Sequence, residues 1–187
     1  MRRAVGREPV VKEVRPTSGI VLGALFNILG GMDGLSFLDL FSGTGRVARK
    51  AADLGAAYVV AVEILPRRSR EIRALFADYS SFSLLSMDVR RALSLLKRKG
   101  RTFDVVFADP PYGAGWPSEL AGLLFPEDGG VLKENGVVVI EHSVREPVPA
   151  GEAYLITDSR SYGDSALTFL APLGLQEGRR EKGAEYR

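Results

Sequence analysis

The chain has 187 residues, 45% of them hydrophobic, with a formal net charge of +2, one His and no Cys. That length supports one well-buried core and is short for two independent domains, while the lack of Cys excludes disulfides and thiolate metal sites, so a metal-free chemistry is expected. No stretch of about 18 uninterrupted apolar residues occurs, and Met1-Arg2-Arg3-Ala4-Val5-Gly6-Arg7 leads into charged residues and not into an apolar signal region; a soluble, cytoplasmic, monomeric protein with no membrane partner is expected.

The sequence pI of about 9.0 is compatible with a nucleic-acid partner without identifying one. The first fifteen residues carry Arg2, Arg3, Arg7, Lys12 and Arg15 against Glu8 and Glu13, a net of +3. This defines a short basic arm over residues 1–16. A helix capped by Thr17 or Ser18 should run through Leu22, Leu25, Phe26 and Leu29, with Gly30-Gly31 ending it.

From there, apolar runs rich in β-branched and aromatic residues alternate with segments of helical periodicity. Strands are expected at Ser36 to Phe41, Ala57 to Glu63, Phe82 to Met87, Phe103 to Ala108 and Gly136 to His142. Helices are expected at Arg46 to Leu54, Pro66 to Asp78, Val89 to Lys99 and Pro117 to Phe125. Runs such as Tyr58-Val59-Val60-Ala61-Val62 are continuously hydrophobic, as in strands covered by helices on both faces. The fold class is α/β: a Rossmann-like layered sheet, mostly parallel. Ala153 to Asp158 and Ala166 to Leu170 flank Ser159 to Ser165 with no helix between, which reads as an antiparallel C-terminal hairpin. The domain spans 17–173, and the charged tail 174–187 is expected to be flexible.

Phe37-Leu38-Asp39-Leu40-Phe41-Ser42-Gly43-Thr44-Gly45-Arg46 is a strand that ends in a glycine-rich turn and opens a helix. Glycines allow close backbone approach to a ligand and positive φ. Glu63, twenty positions after Gly43, is placed to hydrogen-bond a ribose, and Gly43-Thr44-Gly45-Arg46-Val47-Ala48 also fits the dinucleotide pattern, so NAD is an alternative ligand. Asp39, inside the strand, suits a ligand bearing an ammonium and a sulfonium, and the chain has little room for a dehydrogenase's substrate domain. Asp88, just past the third strand, fits either an adenine amino group or a helix N-cap.

Asp109-Pro110-Pro111-Tyr112 follows the fourth strand directly, at the sheet edge where α/β folds bind ligands. Two prolines fix φ and remove donors, leaving a rigid segment that presents acceptors. If the Asp109 carboxylate and the Pro110 carbonyl each accept one N–H of an exocyclic amino group, the nitrogen lone pair is held toward an electrophile. Tyr112 offers an aromatic face on which the base stacks. His142 reads as a satisfied rim histidine, Trp116 as a packing residue, and Arg67, Arg68, Arg70 and Arg73 as either phosphate contacts or a solvated helix face.

With these motifs the chain resembles class I methyltransferases, and within them the bacterial 16S ribosomal RNA guanine-N2 methyltransferases, the D type of the small-subunit enzymes. The resemblance spans Arg15 to Leu170, carried by Arg15-Pro16-Thr17, the glycine loop, Val62-Glu63, Asp109-Pro110-Pro111-Tyr112 and Tyr162-Gly163-Asp164-Ser165-Ala166-Leu167. It implies S-adenosylmethionine as the methyl donor, held by Asp39, Phe41, Ser42, Gly43, Thr44, Gly45, Glu63 and Asp88. It implies catalysis by Asp109, Pro110, Pro111 and Tyr112, and contacts to ribosomal RNA or a small-subunit assembly particle through Arg15, Thr17 and Tyr112. The same motif would serve adenine N6 in DNA, and an idle RNA-binding module is the alternative of another class. The chain departs from the family pattern in its short Met1 to Val14 segment, in Ser18-Gly19-Ile20-Val21-Leu22-Gly23 where charged residues are usual, and in Leu65-Pro66 after the acidic residue.

Overall fold

The computed structural model describes residues 19–173. The basic arm, Arg15, Thr17, the proposed cap at Thr17 or Ser18, and the tail from 174 lie outside the described residues. The first element, α1 (Gly19–Leu29), ends where Gly30 and Gly31 take φ of 74° and 113° and the Gly30 N–H closes on the Phe26 carbonyl at 3.2 Å. Positive φ at two successive residues costs least at glycine, which is why the helix stops there.

Then follow β1 (Ser36–Asp39), α2 (Arg46–Asp53), β2 (Tyr58–Val62), α3 (Pro66–Leu75), β3 (Phe82–Leu85), α4 (Val89–Arg98), β4 (Phe103–Ala108), α5 (Trp116–Leu124) and β5 (Leu132–Ser143). The chain closes with β6 (Tyr154–Tyr162) and β7 (Ser165–Pro172). Every expected element is present, with shifted ends: β1 stops at Asp39 and not at Phe41, α3 stops at Leu75, and β5 begins four residues early. Pro66 occupies the first turn of α3, where no backbone donor is needed.

The larger revision is in the hairpin. Ser159 to Tyr162 are strand and not loop, so β6 and β7 are joined by Gly163-Asp164 alone, with Gly163 at φ 65°. Pairing continues to Tyr162 opposite Ser165 because a glycine-led two-residue turn matches the twist of the strands.

The seven strands form one sheet in the order β3-β2-β1-β4-β5-β7-β6, parallel through β5, with β7 antiparallel to both neighbours. Successive strand residues point to opposite faces, and the two cores divide accordingly. Leu38, Val60, Val62 and Val106 pack with Val89, Leu93 and Leu96 of α4 and Leu120 and Leu124 of α5. Phe37, Val59, Ala61 and Phe107 pack on the other face with Leu25 and Phe26 of α1, Val47 and Ala51 of α2 and Ile72 of α3. Phe37 and Leu38 are fully buried, each worth about 1.5–3 kcal/mol of transfer energy. The strand order reverses between β1 and β4, and a crevice opens at the carboxyl ends of strands at such a point.

Candidate active site

The loop leaving β1 is held almost entirely by backbone groups of its neighbours. The Leu40 N–H donates to the Phe107 carbonyl at 2.9 Å, and the Ser42 N–H to the Val62 carbonyl at 3.0 Å. The buried Ser42 hydroxyl donates to the Asp39 carbonyl at 3.0 Å and accepts from the Val62 N–H at 3.1 Å. Ser42 is thus a brace between β1 and β2 whose hydrogen bonds hold the loop's own path.

Glu63 completes the brace. Its Oε2 accepts the Gly43 N–H at 2.9 Å and its Oε1 accepts the Leu65 N–H at 2.7 Å, so one buried carboxylate joins the glycine loop to the start of α3. Each oxygen keeps a further acceptor site, so Glu63 remains able to receive a ligand hydroxyl. The two glycines differ in what they require. Gly43 (φ 54°) borders open space, whereas a Cβ on Gly45 (φ 78°) would meet Ile72 Cγ1 at 3.1 Å and Leu75 Cδ2 at 3.3 Å. The tightness at Gly45 belongs to the packing of α2 against α3. Thr44 is exposed at the turn.

Asp39 is 1% exposed, and neither carboxylate oxygen has a hydrogen-bond partner of good geometry. Burial pushes its carboxyl up to about 7, with the nearby Asp109 charge adding, although Ser42 and the backbone N–H groups of Ala48 and Phe41 favour the ionised form. A carboxyl buried this way favours its neutral form unless a positive charge comes close.

A cavity of about 250 Å³ opens beside these groups at the carboxyl ends of β1, β2 and β4. Phe41, Gly43, Glu63, Asp88, Asp109 and Pro111, all expected from the sequence, line it; so do Ile64, Leu65, Arg68, Met87 and Trp116. Asp88 is also the N-cap of α4, accepting the Arg90 N–H at 2.9 Å, so the N-cap reading is borne out at a residue that faces the cavity. Trp116 does pack, edge-on against Phe41 with centroids 4.9 Å apart and with the Arg90 guanidinium 4.4 Å from its ring. It is a wall of the cavity as well. Arg90 pairs in turn with Glu119, tying α4 to α5.

Asp109 lies one residue past β4, Pro110 is buried, and Pro111 and Tyr112 are exposed. Tyr112, 42% exposed, stands at the rim with its hydroxyl 2.9 Å from Ser165 Oγ and 3.4 Å from Glu141 Oε1. Burial and the neighbouring Glu141 and Asp109 carboxylates push that hydroxyl up to about 12 against the lowering effect of Ser165. It stays protonated at neutral pH, with its oxygen engaged by Ser165 and Glu141.

His142 is buried, with Nδ1 2.9 Å from the Ser143 carbonyl and Nε2 2.8 Å from the Thr168 hydroxyl, so both nitrogens are used within the sheet, as expected of a rim histidine. The α3 arginines separate: Arg67 pairs with Glu71, Arg73 reaches the Ser86 hydroxyl, and Arg68 turns to the cavity. Among the described residues no group of His, Asp and Glu is arranged to hold a metal, and no helix is long and apolar enough to cross a membrane.

The sequence singled out neither Met87 nor the carboxylates Glu141 and Glu146, and it offered Arg68 only as a phosphate contact or part of a solvated face, not as a wall of the cavity. Glu146 accepts the Gly113 N–H at 2.7 Å and the Gly115 N–H at 2.6 Å across more than thirty residues. No local pattern marks such a contact.

Comparison with known proteins agrees with this geometry. Residues 6–171 match the family model described as Conserved hypothetical protein 95. Ribosomal RNA small subunit methyltransferase D of Escherichia coli (strain K12) is 29% identical over 137 residues, 73% of this chain and 68% of the relative. A solved structure of a conserved hypothetical protein from Streptococcus pyogenes superposes with a TM-score of 0.72 at 30% identity, over 82% of this chain and 96% of that one. The ribosomal protein L11 methylase of Lactobacillus delbrueckii subsp. bulgaricus, at 20% identity and TM-score 0.63 over 82% of this chain and 78% of that one, shares the fold. With residues 6–171 matched, the chain belongs to the Conserved hypothetical protein 95 family, and it is similar to proteins named as small-subunit ribosomal RNA methyltransferase D.

Proposed function

We propose that this protein transfers a methyl group from S-adenosylmethionine to the exocyclic N2 of a guanine in 16S ribosomal RNA. The observation that carries the reading is the meeting of Asp109 with the glycine loop on one cavity: the acceptor-only segment after β4 opens onto the same space as Gly43 and Glu63. A relative is named for small-subunit ribosomal RNA methylation, which supports the substrate class.

The residues present fit the donor. The buried Asp39 carboxylate, short of hydrogen bonds, suits an ammonium group; Glu63, with acceptor capacity left, suits ribose hydroxyls; and Leu65, Met87 and Val89 offer apolar surface to an adenine edge where Asp88 accepts. When bound, S-adenosylmethionine supplies an electrophilic methyl sulfonium. The chain's own part is orientation. Asp109 and the Pro110 carbonyl accept the two amino hydrogens of the target base, holding the nitrogen lone pair outward, and Tyr112 stacks on the ring. The amino proton leaves after transfer, with Asp109 the nearest carboxylate on the motif to receive it. Arg15 and Thr17 are proposed to contact the RNA. A base held in a helix must first be swung out of its stack.

Nucleoside mass spectrometry tests the reading. The purified protein, incubated with S-adenosylmethionine and either small-subunit ribosomal RNA or its assembly particle from cells lacking this protein, is expected to yield N2-methylguanine. N6-methyladenine in DNA would overturn the substrate and keep the Asp109 geometry. Saturable calorimetric binding of NAD, with none of S-adenosylhomocysteine, would overturn the donor.

A further inference from the structure

We propose that Glu146 is a positioning residue that fixes the loop carrying Asp109 to Tyr112, an inference that rests on the methyl-transfer reading above. The loop between β4 and α5 contains Gly113 and Gly115, both at φ 74° and neither with any atom near where a Cβ would lie. Packing therefore does not hold these glycines, and a segment with two glycines is conformationally free unless something pins it. The Glu146 carboxylate does so, taking one N–H on each oxygen at 2.7 and 2.6 Å. Bonds from N–H to an ionised carboxylate are the strong kind.

The position matters as much as the strength. Gly115 is the N-cap of α5 and has no side chain to cap with, so Glu146 supplies from outside the negative charge that a helix N-terminus favours. On one side of the pinned pair lie Asp109 and Tyr112, and on the other lies Trp116, a wall of the cavity. Glu146 itself is anchored at the end of β5, where its N–H donates to the Ser143 carbonyl at 2.9 Å and the Val144 N–H donates to the Asp164 carbonyl of the hairpin turn at 3.0 Å. The same turn presents Ser165 to the Tyr112 hydroxyl. The antiparallel end of the sheet thus holds the substrate side of the site, while the parallel half holds the donor side.

The test compares E146A and E146Q with a charge-removal control, E152A, at an exposed glutamate. Trp116 is the only tryptophan of the chain, so its fluorescence reports the loop directly. Single-turnover methyl transfer, counted per S-adenosylhomocysteine-binding site so that misfolded protein is excluded, should fall about 10- to 100-fold in E146A. E146Q, whose amide offers only one acceptor oxygen, should fall less. Acrylamide quenching of Trp116 should rise in the same order, and E152A should match the wild type in both. A wild-type rate per binding site in E146A overturns the proposal, and so does a slow E146A with unchanged quenching. Should E146A not fold, a wild-type rate or unchanged quenching in E146Q overturns it equally. If the wild type itself transfers no methyl group, the methyl-transfer reading falls, and Trp116 quenching alone then decides the clamp.

Discussion

The Gly43 N–H donates to Glu63 Oε2 at 2.9 Å, so the loop at the end of β1 is shaped by a carboxylate at the end of β2. Glu63 therefore has two duties, holding the loop and, as proposed, receiving a ribose. Glu63→Ala leaves the Gly43 and Leu65 donors without partners, at about 1–3 kcal/mol each if they stay dry. Calorimetry of S-adenosylhomocysteine should show binding weakened at least about tenfold, and urea unfolding should show a lowered stability. Glu63→Gln, which keeps one acceptor oxygen, should fall between.

Asp39 makes stability depend on pH. Its carboxyl is raised to about 7 in the fold, whereas in the unfolded chain it ionises near 4. Between these values the native state holds the extra proton. Its stabilising effect is therefore complete below about pH 4 and is lost as pH rises to about 7, an effect of up to about 4 kcal/mol. Urea unfolding of wild type and Asp39→Asn at about pH 5 and about pH 8 should show this difference, with the variant lacking the Asp39 share of the slope. An ammonium-bearing ligand favours the ionised form, so S-adenosylhomocysteine should bind more tightly at the higher pH and release protons from the wild type alone.

Asp109→Ala should separate binding from chemistry. Loss of an oriented acceptor in the reacting geometry costs about 100- to 1,000-fold in kcat, by analogy with removal of one oxyanion donor, while S-adenosylhomocysteine affinity should change by only a few-fold. Methyl transfer to RNA under saturating donor and a parallel calorimetric titration measure the two effects.

Gly45 and Gly43 should respond differently although they share a loop. Gly45→Val places a β-branched side chain at φ 78° and 3.1 Å from Ile72 Cγ1, so the melting temperature should fall markedly, since the left-handed backbone alone costs about 1–2 kcal/mol. Gly43→Ala has room, with only the Phe41 carbonyl oxygen 3.9 Å away, at a residue that lines the cavity. Its stability loss should be the smaller, and its loss of S-adenosylhomocysteine affinity the larger.

The order and kind of the elements were legible along the chain, because unbroken apolar runs such as Tyr58 to Val62, helical periodicity, and the glycines at 30, 31 and 163 act through their immediate neighbours. So were the two segments that meet at the cavity, since a glycine turn after a strand and a Pro-Pro pair carry their backbone constraints within a few residues. The rest came from the folded arrangement. Whether Asp39 would be satisfied by nearby backbone groups or left short of them depended on how β1 and β4 bury it. The wall residues Arg68, Met87 and Trp116 arrive from three separate connections, and Ser159 to Tyr162 became strand because β7 was there to pair with it. Glu146 reaches Gly113 and Gly115 from more than thirty residues away. Hydrogen bonds and burial of that kind are made by groups the chain brings together only when the sheet closes, and no pattern along the sequence records them.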